Sequence, residues 1–541
     1  MKLRAASRAI VALAFVVTAC GSASDLTLPD PAPGVDSGAG FDSGVLSDGS
    51  TPGDSSVVND ATAANDAADA ADAADAGTIV PPTYMKASNT RTGSRFGIVA
   101  LDGDTLAVGA LGESSAATTI GGNQADTSAP LAGAIYVFRR AAGTWKQEAY
   151  LKPSNNRAGA AFGVSVALQG DTLAVGALYE SSNGSGPANT GAPNAGAVYV
   201  FKRTGTTWAQ QAYLKASNAR AGAEFGTSVS LSGETLAVGA ASESSSATGV
   251  GGNQADASAA GAGAAYVFTR SGAVWTQQAY LKASNTRAAA LFGSGVSLSG
   301  ETLAVGSLHE SSNARGVGGD QSDTSVPGAG AAYVFTRSGT VWSQQAYVKA
   351  SNTLGSENLT GGFGIGISVS GDTLAVGQFI EPSKAKGVNG DQADTTAPNS
   401  GAAYVFTRTG TVWSQQAYLK ASNTRSLALF GCSIALSGDD LVVGSQNESS
   451  NATSVIGDPN DTSAPNAGAA YAFKRTGGVW SQRTYLKASN ARADALFGYS
   501  VAVSGGAFAV GSVFESSASK GIDGNQGDTS AETAGAVYVF R

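Results

Sequence analysis

The sequence is poor in the residues that most enzymes and metalloproteins use for chemistry. Its 541 residues include one histidine, two cysteines and two methionines. A single histidine argues against a His-rich zinc site and against a Ser-His-Asp triad. In the repeats described below, other residue types stand where this chain has His309, so we expect His309 at the surface rather than in a catalytic site.

The chain also has no surplus of basic charge. Its formal net charge is −8, and residues 21–80 contain eleven aspartates but no lysine, arginine or glutamate. Beyond residue 80, basic and acidic residues are equal in number. A neutral body without a basic stripe argues against nucleic acid as a partner.

Long hydrophobic runs are absent except near the amino terminus. There the basic stretch MKLRAASR is followed by AIVALAFVV and by VTAC, which ends at Cys20. The apolar run is short for a membrane span. The segment resembles the signal and lipobox of bacterial lipoproteins, so we interpret residues 1–20 as a signal peptide and Cys20 as the lipidated residue. An ordinary secretory signal and a short membrane anchor are the alternatives.

This resemblance implies export and attachment to a membrane through several acyl chains on one cysteine. Ser22, with no aspartate beside Cys20, is similar to the outward-sorting pattern of bacterial lipoproteins. We therefore expect the protein in the cell envelope, as an outer-membrane lipoprotein or at the cell surface. Acylation of Cys20 leaves Cys432 as the one free thiol, so no intrachain disulfide is expected.

Residues 21–77 consist mainly of Ala, Asp, Ser, Gly and Pro. Such a composition cannot bury enough apolar surface to fold, and its like charges favour an extended chain. We interpret this segment as a disordered tether that holds the following domain away from a membrane.

The remainder of the chain repeats itself. A Phe-Gly pair recurs at steps of 63 to 71 residues, beginning at Phe96, Phe162, Phe225, Phe292, Phe363, Phe430 and Phe497. Each copy contains four β-like segments, which in the third copy are FGTSVSLS, TLAVGA, AAYVFTR and VWTQQAYLK. Alternating and β-branched residues separated by Ser-Gly turns predict four antiparallel strands in each copy.

The two ends of this region predict how it closes. The last copy ends at AGAVYVFR without a fourth strand, whereas TYMKASN, which resembles the end of a fourth strand, precedes the first copy. A strand from the front can complete the last sheet, which removes an exposed edge. We therefore predict an all-β, seven-bladed β-propeller over residues 78–541, with four antiparallel strands per blade and the ring closed by the N-terminal strand.

The pattern FG, a short strand and LSGDTLAVGA resembles the FG-GAP repeat of integrin α-chain propellers, with VGA in place of GAP. The resemblance implies the propeller fold and recognition of protein ligands or matrix-like material. The calcium sites of that family use a D-x-D-x-D-G turn. Here the corresponding turns are short, as in LSGET, and cannot supply six to eight oxygens, so those sites are not carried over.

The loop between the second and third strands offers another candidate for calcium. It begins with a glutamate and, in six copies, carries a later aspartate in a GGNQAD-like run. Flexible acidic loops of this kind suit calcium. The alternative is that the aspartate caps a turn and the glutamate pairs with the lysine of Tyr-x-Lys. The candidate ligands are Glu113, Asp126, Glu243, Asp256, Glu310, Asp320, Asp323, Glu381, Asp391, Asp394, Glu448, Asp461, Glu515 and Asp528.

A Lys-x-Ser-Asn element recurs in every copy and indicates a structural device, such as a salt bridge between blades or a turn cap. A site for one specific ligand should break the symmetry of the repeats. The second copy has a shortened loop without the GGNQAD-like run, and the fifth has a longer loop, LGSENLTGG. We expect a ligand site on the face that carries these loops.

These features favour a lipid-anchored binding or adhesion protein that is not an enzyme. The expected partners are a protein or polysaccharide ligand and a membrane, with the chain as a monomer. No cofactor is certain, and calcium is the one candidate. An envelope glycosidase or lyase is the alternative, because glutamates and aspartates surround the loop face. A structural envelope protein is a third hypothesis.

Overall fold

A computed structural model describes residues 81–186, 188–353, 362–455 and 457–541. These residues form 28 β-strands and contain no helix. The predicted signal peptide, the lipidation residue Cys20 and the tether at 21–77 lie outside the described residues.

The first strand, β1, is Thr83–Met85, and the other strands follow in groups that we call blades 1 to 7. Blade 1 is β2 to β5, Phe96–Asp102, Thr105–Ala110, Ala134–Ala141 and Thr144–Leu151; blade 2 is β6 to β9, Phe162–Gln169, Thr172–Ala177, Ala197–Thr204 and Thr207–Leu214; blade 3 is β10 to β13, Phe225–Ser232, Thr235–Ala240, Ala264–Ser271 and Val274–Leu281; blade 4 is β14 to β17, Phe292–Ser299, Thr302–Ser307, Ala331–Ser338 and Val341–Val348; blade 5 is β18 to β21, Phe363–Ser370, Thr373–Gln378, Ala402–Thr409 and Val412–Leu419; blade 6 is β22 to β25, Phe430–Ser437, Asp440–Ser445, Ala469–Thr476 and Val479–Leu486; blade 7 is β26 to β28, Phe497–Ser504, Ala507–Ser512 and Ala536–Phe540.

Each blade is a four-stranded antiparallel sheet in which neighbours in sequence are neighbours in space. The first strand of every blade contacts the first strands of the two adjacent blades, so seven first strands surround the axis. In blade 7 the fourth position is taken by β1, which pairs with β28 in the register Tyr84↔Tyr538. The prediction of a seven-bladed all-β propeller closed by the N-terminal strand is confirmed.

The Phe-Gly and Val-Gly motifs mark where successive blades touch. A side chain on Gly239 would place its Cβ 2.0 Å from the carbonyl oxygen of Gly293, the glycine of the next Phe-Gly pair. Gly293 has a φ of +92°, a conformation that favours glycine. The adjacent Phe292 is fully buried, and its ring lies edge-on to Tyr333 with centroids 5.3 Å apart. The motif therefore combines a close backbone approach with an aromatic anchor.

Serine hydroxyls of the first strands accept hydrogen bonds from backbone N–H groups at the inner edge of the neighbouring sheet. The backbone N–H groups of Val296, Leu298 and Gly300 in blade 4 donate to the hydroxyls of three serines in blade 3, at distances of 2.9 to 3.0 Å. At the outer rim, the indole N–H of Trp275 donates to the side-chain oxygen of Gln211 in the preceding blade at 3.0 Å. Five tryptophans, Trp208, Trp275, Trp342, Trp413 and Trp480, make such an outer bond to the preceding blade.

Candidate functional site

The long loops between second and third strands lie on one face of the propeller with the loops that join successive blades; we call this the loop face. In blade 3 the loop covers residues 241–263. It is closed at its base by a hydrogen bond from Gly263 N–H to Glu243 C=O, at 2.8 Å. It then reaches the outer strand, where Gly251 N–H donates to Tyr280 C=O at 2.9 Å. One loop therefore spans its blade from the inner to the outer strands.

The glutamate at the start of each loop is buried in an ion pair. Glu243 is 1% exposed, and its carboxylate lies 2.9 Å from the Nζ of Lys282. Lys282 also donates to the Gly263 carbonyl at 2.5 Å, and Asn218 Nδ2 donates to the other oxygen of Glu243 at 3.0 Å. Burial lowers the pKa of Lys282, and the charge of Glu243 opposes that shift. The remaining pairs are Glu113–Lys152, Glu180–Lys215, Glu310–Lys349, Glu381–Lys420, Glu448–Lys487 and Glu515–Lys86.

The aspartate of the GGNQAD-like run caps a turn within the same loop. In blade 3, Asp256 accepts hydrogen bonds from the hydroxyl and the backbone N–H of Ser246, at 2.7 and 2.6 Å, and from Ser258 N–H at 3.2 Å. These bonds, led by the Ser246 hydroxyl, hold the pKa of Asp256 well below its ordinary value. Similar caps are made by Asp126, Asp323, Asp461 and Asp528, whereas Asp320, Asp391 and Asp394 accept from the second residue after them.

Of the two arrangements that the sequence left open, the structure shows the one with paired glutamates and capping aspartates. No group of three or more His, Cys, Asp or Glu residues that could hold a metal ion occurs in the part of the chain that the structure describes. Calcium binding to these carboxylates stays a prediction. To bind calcium, each glutamate would have to give up its ion pair with a lysine, whereas the aspartates are accessible to an ion.

The Lys-x-Ser-Asn element ties one blade to the next. In the loop between blades 2 and 3, Lys215 pairs with Glu180 of blade 2, at 2.9 Å, while Asn218 reaches Glu243 of blade 3. Arg220 then donates to the backbone carbonyls of Gln254 and Asp256 in the blade 3 loop. The element therefore fixes the positions of the long loops, as expected of a structural device.

The symmetry of the loop face is broken at blade 2. Its loop, residues 178–196, is four residues shorter than the loop of blade 3. Beside it lies an open cleft of about 540 Å³ between blades 2 and 3. The cleft is lined by Asn183, Ser217, Asn218, Ala219, Arg220, Gln254 and Ala255. The other irregularity predicted from the sequence, in the loop before blade 5, falls mostly at residues 354–361, outside the described residues.

A second group of asymmetric residues surrounds the axis at the loop face. The first strand begins and the second strand ends on this face, so the residues just before Phe-Gly and just after the second strand lie near the axis. In blade 3 this places Glu224 beside Ser242, whose hydroxyl donates to the carboxylate at 2.7 Å. Glu224 is 5% exposed, and burial raises its pKa. Burial also raises the pKa of Tyr179 in blade 2, and the charge of Glu224 adds to that shift.

Other residues of this axial group are apolar or carry amides. Leu308, Phe379, Leu429 and Cys432 form a buried cluster across blades 4 to 6. Gln446 is fully buried, and neither of its amide atoms has a hydrogen-bond partner within the described ranges. The sequence reasoning missed this group. The available signal was that these positions differ in almost every copy while the adjacent strands hardly change.

His309, predicted at the surface, belongs to the same axial group. It is only partly exposed, and burial lowers its pKa. Two of its counterparts contact the residue before a Phe-Gly pair. Ser242 donates to Glu224, and the Phe514 ring centroid lies 5.7 Å from the guanidinium of Arg95. The described residues include no helix that could cross a membrane.

Comparison with known proteins gives the family. The model of the FG-GAP repeat matches residues 145–201, 208–268, 275–335, 413–473 and 480–540, which together cover more than half of the chain. Each match begins at the tryptophan of a fourth strand and ends in the third strand of the following blade. No curated protein matches the chain. The five matches, together with the seven-bladed architecture, show that the chain belongs to the FG-GAP repeat family.

Proposed function

We propose that this protein is a lipid-anchored binding or adhesion protein of the cell envelope and that it recognises a protein or glycan ligand through the loop face. The FG-GAP propeller is compatible with such a platform. The loop face supports the proposal because its loops are held by buried ion pairs and caps, which limits the conformational entropy lost on binding. The proposal includes anchoring through Cys20 and no catalytic activity.

The observation that carries the proposal is the cleft between blades 2 and 3. It interrupts a surface that the other loops build in the same way. Its lining offers amide, hydroxyl and guanidinium groups, which suit the polar groups of a peptide or a sugar. The shortened loop contributes Asn183 to this lining and can make it specific for one ligand, whereas Asn218 and Arg220 also hold the long loop of blade 3 in place.

The test compares two tryptophan substitutions in the full-length protein in detergent. Ala255→Trp places a large side chain in the cleft, and Ala125→Trp changes the corresponding exposed residue in the blade 1 loop. Binding to immobilised envelope protein and envelope polysaccharide fractions is measured for each. We expect Ala255→Trp to weaken binding about tenfold or more and Ala125→Trp to leave it unchanged. Equal binding by both variants, or binding by neither the variants nor the wild type, would contradict the proposal.

A second function, cleavage of envelope polysaccharide, is favoured by Glu224. A buried carboxyl group with a raised pKa is the type of residue that acts as a general acid. The discriminating measurement is release of reducing ends or unsaturated products from envelope glycans by the wild type and by Glu224→Gln. Release by the wild type that is lost in Glu224→Gln would replace the binding proposal with an enzymatic one.

A further inference from the structure

The shortened loop of blade 2 has a second effect, on the outer strand of that blade. In the other six blades the long loop bends back and forms backbone hydrogen bonds with the end of the fourth strand. In blade 3, for example, Gly251 N–H donates to Tyr280 C=O and Lys282 N–H donates to Gly249 C=O. Blades 4, 5 and 7 form both equivalent bonds. Among the described residues, blade 1 forms the first, from Gly121 N–H to Tyr150 C=O, and blade 6 forms the second, from Lys487 N–H to Ser454 C=O. These bonds cover the outer edge of the sheet where it meets the loop face.

Blade 2 has no such cover among the described residues. Tyr213 C=O and Lys215 N–H occupy the positions of Tyr280 C=O and Lys282 N–H, and no backbone group of the described chain pairs with them. We call the backbone of residues 213–215 the blade 2 edge. Unpaired N–H and C=O groups at the end of a strand are a template for pairing with another chain.

Burial of the neighbouring side chains agrees with this difference. Leu214 is 7% exposed, whereas Leu281 in blade 3 is 0% exposed. Ala216 is 5% exposed, whereas Ala283 is 2% exposed. Both Leu214 and Ala216 belong to the apolar cluster between blades 2 and 3. Leu214 and Ala216 are thus slightly less covered than their counterparts in blade 3, and the next residue in the chain, Ser217, lines the 540 Å³ cleft described above.

The other blades show which chemistry fits this edge. Their loops place a β-branched aliphatic residue near the end of the fourth strand. Val250, Val317, Val388 and Ile522 form β-bridges to it, and Ile120 and Val455 hold the equivalent sequence positions. Ile120, Val388, Val455 and Ile522 pack against the apolar cluster shared with the next blade. Glycines flank several of these residues, and Gly249 and Gly251 both have a positive φ. The occupant must therefore supply one aliphatic side chain and a backbone free to adopt such angles.

We propose that the blade 2 edge binds a glycine-containing peptide segment of a protein partner, with a valine or isoleucine on Leu214 and Ala216 and with its backbone paired to Tyr213 C=O and Lys215 N–H. The segment takes the place that the protein's own loop takes in the other blades. This inference rests on the proposed binding function and assigns its ligand to the protein class rather than the glycan class.

The test uses a fluorescent peptide with the sequence of residues 244–256 as the probe and the full-length protein in detergent. In the graft variant, residues 178–196 are replaced by the sequence of residues 241–263, which supplies blade 2 with a covering loop. The control variant carries the same sequence in place of residues 308–330 of blade 4, where a loop of that length already exists. Fluorescence anisotropy measures binding, and circular dichroism confirms that both variants fold.

We expect saturable binding of one peptide per wild-type chain, a loss of about tenfold or more in the graft variant, and unchanged binding in the control variant. A peptide methylated at the nitrogen of the residue that corresponds to Gly251 lacks the donor to Tyr213 C=O and should bind as weakly as the graft. This peptide keeps the test decisive if the graft does not fold. Equal binding of the methylated and unmodified peptides would overturn the proposal, as would equal binding by graft and wild type.

The same variants separate this proposal from the proposed function. If the graft variant still binds the envelope fractions as the wild type does, the blade 2 edge is not the binding site, while the binding function stands. If the wild type binds the peptide but no envelope fraction, the binding function fails and the edge remains a peptide site. If the graft variant loses binding to the envelope protein fraction while the control variant keeps it, the result supports both the proposed function and the blade 2 edge as its site.

Discussion

At the scale of single residues, the buried glutamate is the group on which both the loop and the blade contact depend. Glu243 receives Lys282 from its own blade and Asn218 from the preceding linker. Removing one member of a buried, hydrogen-bonded charge pair leaves the other charge without compensation, which costs far more than the loss of an exposed pair.

We therefore expect Glu243→Gln to lower the free energy of unfolding by about 3 to 5 kcal/mol. The matched control is Glu234→Gln, because Glu234 pairs with Arg270 while its side chain is 61% exposed; its cost should stay below about 1 kcal/mol. Urea unfolding followed by tryptophan fluorescence measures both. Equal costs for the two variants would show that the buried pair does not stabilise the fold in this way.

The sequence allowed prediction of the recurrence of this glutamate, but it left the partner open between calcium and the lysine of Tyr-x-Lys, which in blade 3 is Lys282. A glutamate followed much later by a lysine is compatible with a calcium loop and with an ion pair, because spacing along the chain does not fix spacing in the fold. Cys432 stands at a position that varies among the copies, which is typical of packing, and its side chain lies in an apolar cluster. For His309 similar variation predicts a place at the surface, and the residue is partly exposed near the axis.

At the scale of the structural element, the strands and the loops differ in how far they could be predicted. Alternating residues and Ser-Gly turns gave all four strands of a blade, since strand periodicity is a local property. The path of residues 241–263 depends on contacts with Tyr280, Arg220 and Lys282, which come from other parts of the chain. No local pattern contains that information.

The capping aspartates predict a dependence of loop order on pH. Hydrogen bonds from Ser246 hold the pKa of Asp256 below the ordinary value, which is about 3.9. The ionised carboxylate therefore contributes to loop order above that pH, and the contribution is lost as the pH falls through the lower, folded pKa. We expect the NMR signal of the Ser246 amide to shift below about pH 4.

The loop of blade 2 is the internal control for this titration, because it has no equivalent aspartate. The amide of Asn183, which holds the position of Ser246, should not show the same acid transition. A transition of both amides at one pH would indicate that the whole propeller unfolds rather than that single loops open.

At the scale of the whole molecule, closure depends on a strand of three residues. The ring centroids of Tyr84 and Tyr538 are 5.4 Å apart. Within the described residues, β1 is the one strand that pairs with the outer edge of β28. Tyr280 holds the same position in blade 3, where the fourth strand is eight residues long and Tyr280 also donates to Glu243 at 3.1 Å.

We expect Tyr84→Ala and Tyr280→Ala each to lower the free energy of unfolding by about 3 to 5 kcal/mol, as for other buried aromatic residues. The two variants should differ in association. Tyr84→Ala frees the edge of β28, so it should associate as its concentration rises, whereas Tyr280→Ala should remain a monomer. Analytical ultracentrifugation over a range of concentrations measures this difference. Monomeric Tyr84→Ala would mean that β1 is not needed to protect that edge.

Membrane attachment is also a property of the whole chain. If Cys20 carries the lipid, Cys20→Ser should move the protein from the membrane fraction to the soluble envelope fraction and abolish incorporation of labelled palmitate. Cys432→Ser serves as the control, because Cys432 is buried within the propeller and should not change the fractionation. Continued membrane attachment of Cys20→Ser would favour an uncleaved apolar anchor instead.

The phase of the family matches has a consequence for how such a protein can gain or lose copies. Each matched unit begins in the outer strand of one blade and ends in the third strand of the next, so no unit is a free-standing blade. A duplicated unit therefore brings the fourth strand of one blade and the first three strands of the next. When it is inserted between two copies, every sheet still has four strands. What an added unit does change is the angle available to every blade. The glycine contacts between blades, which leave no room for a side chain, then set the limit on how many copies one circle can hold.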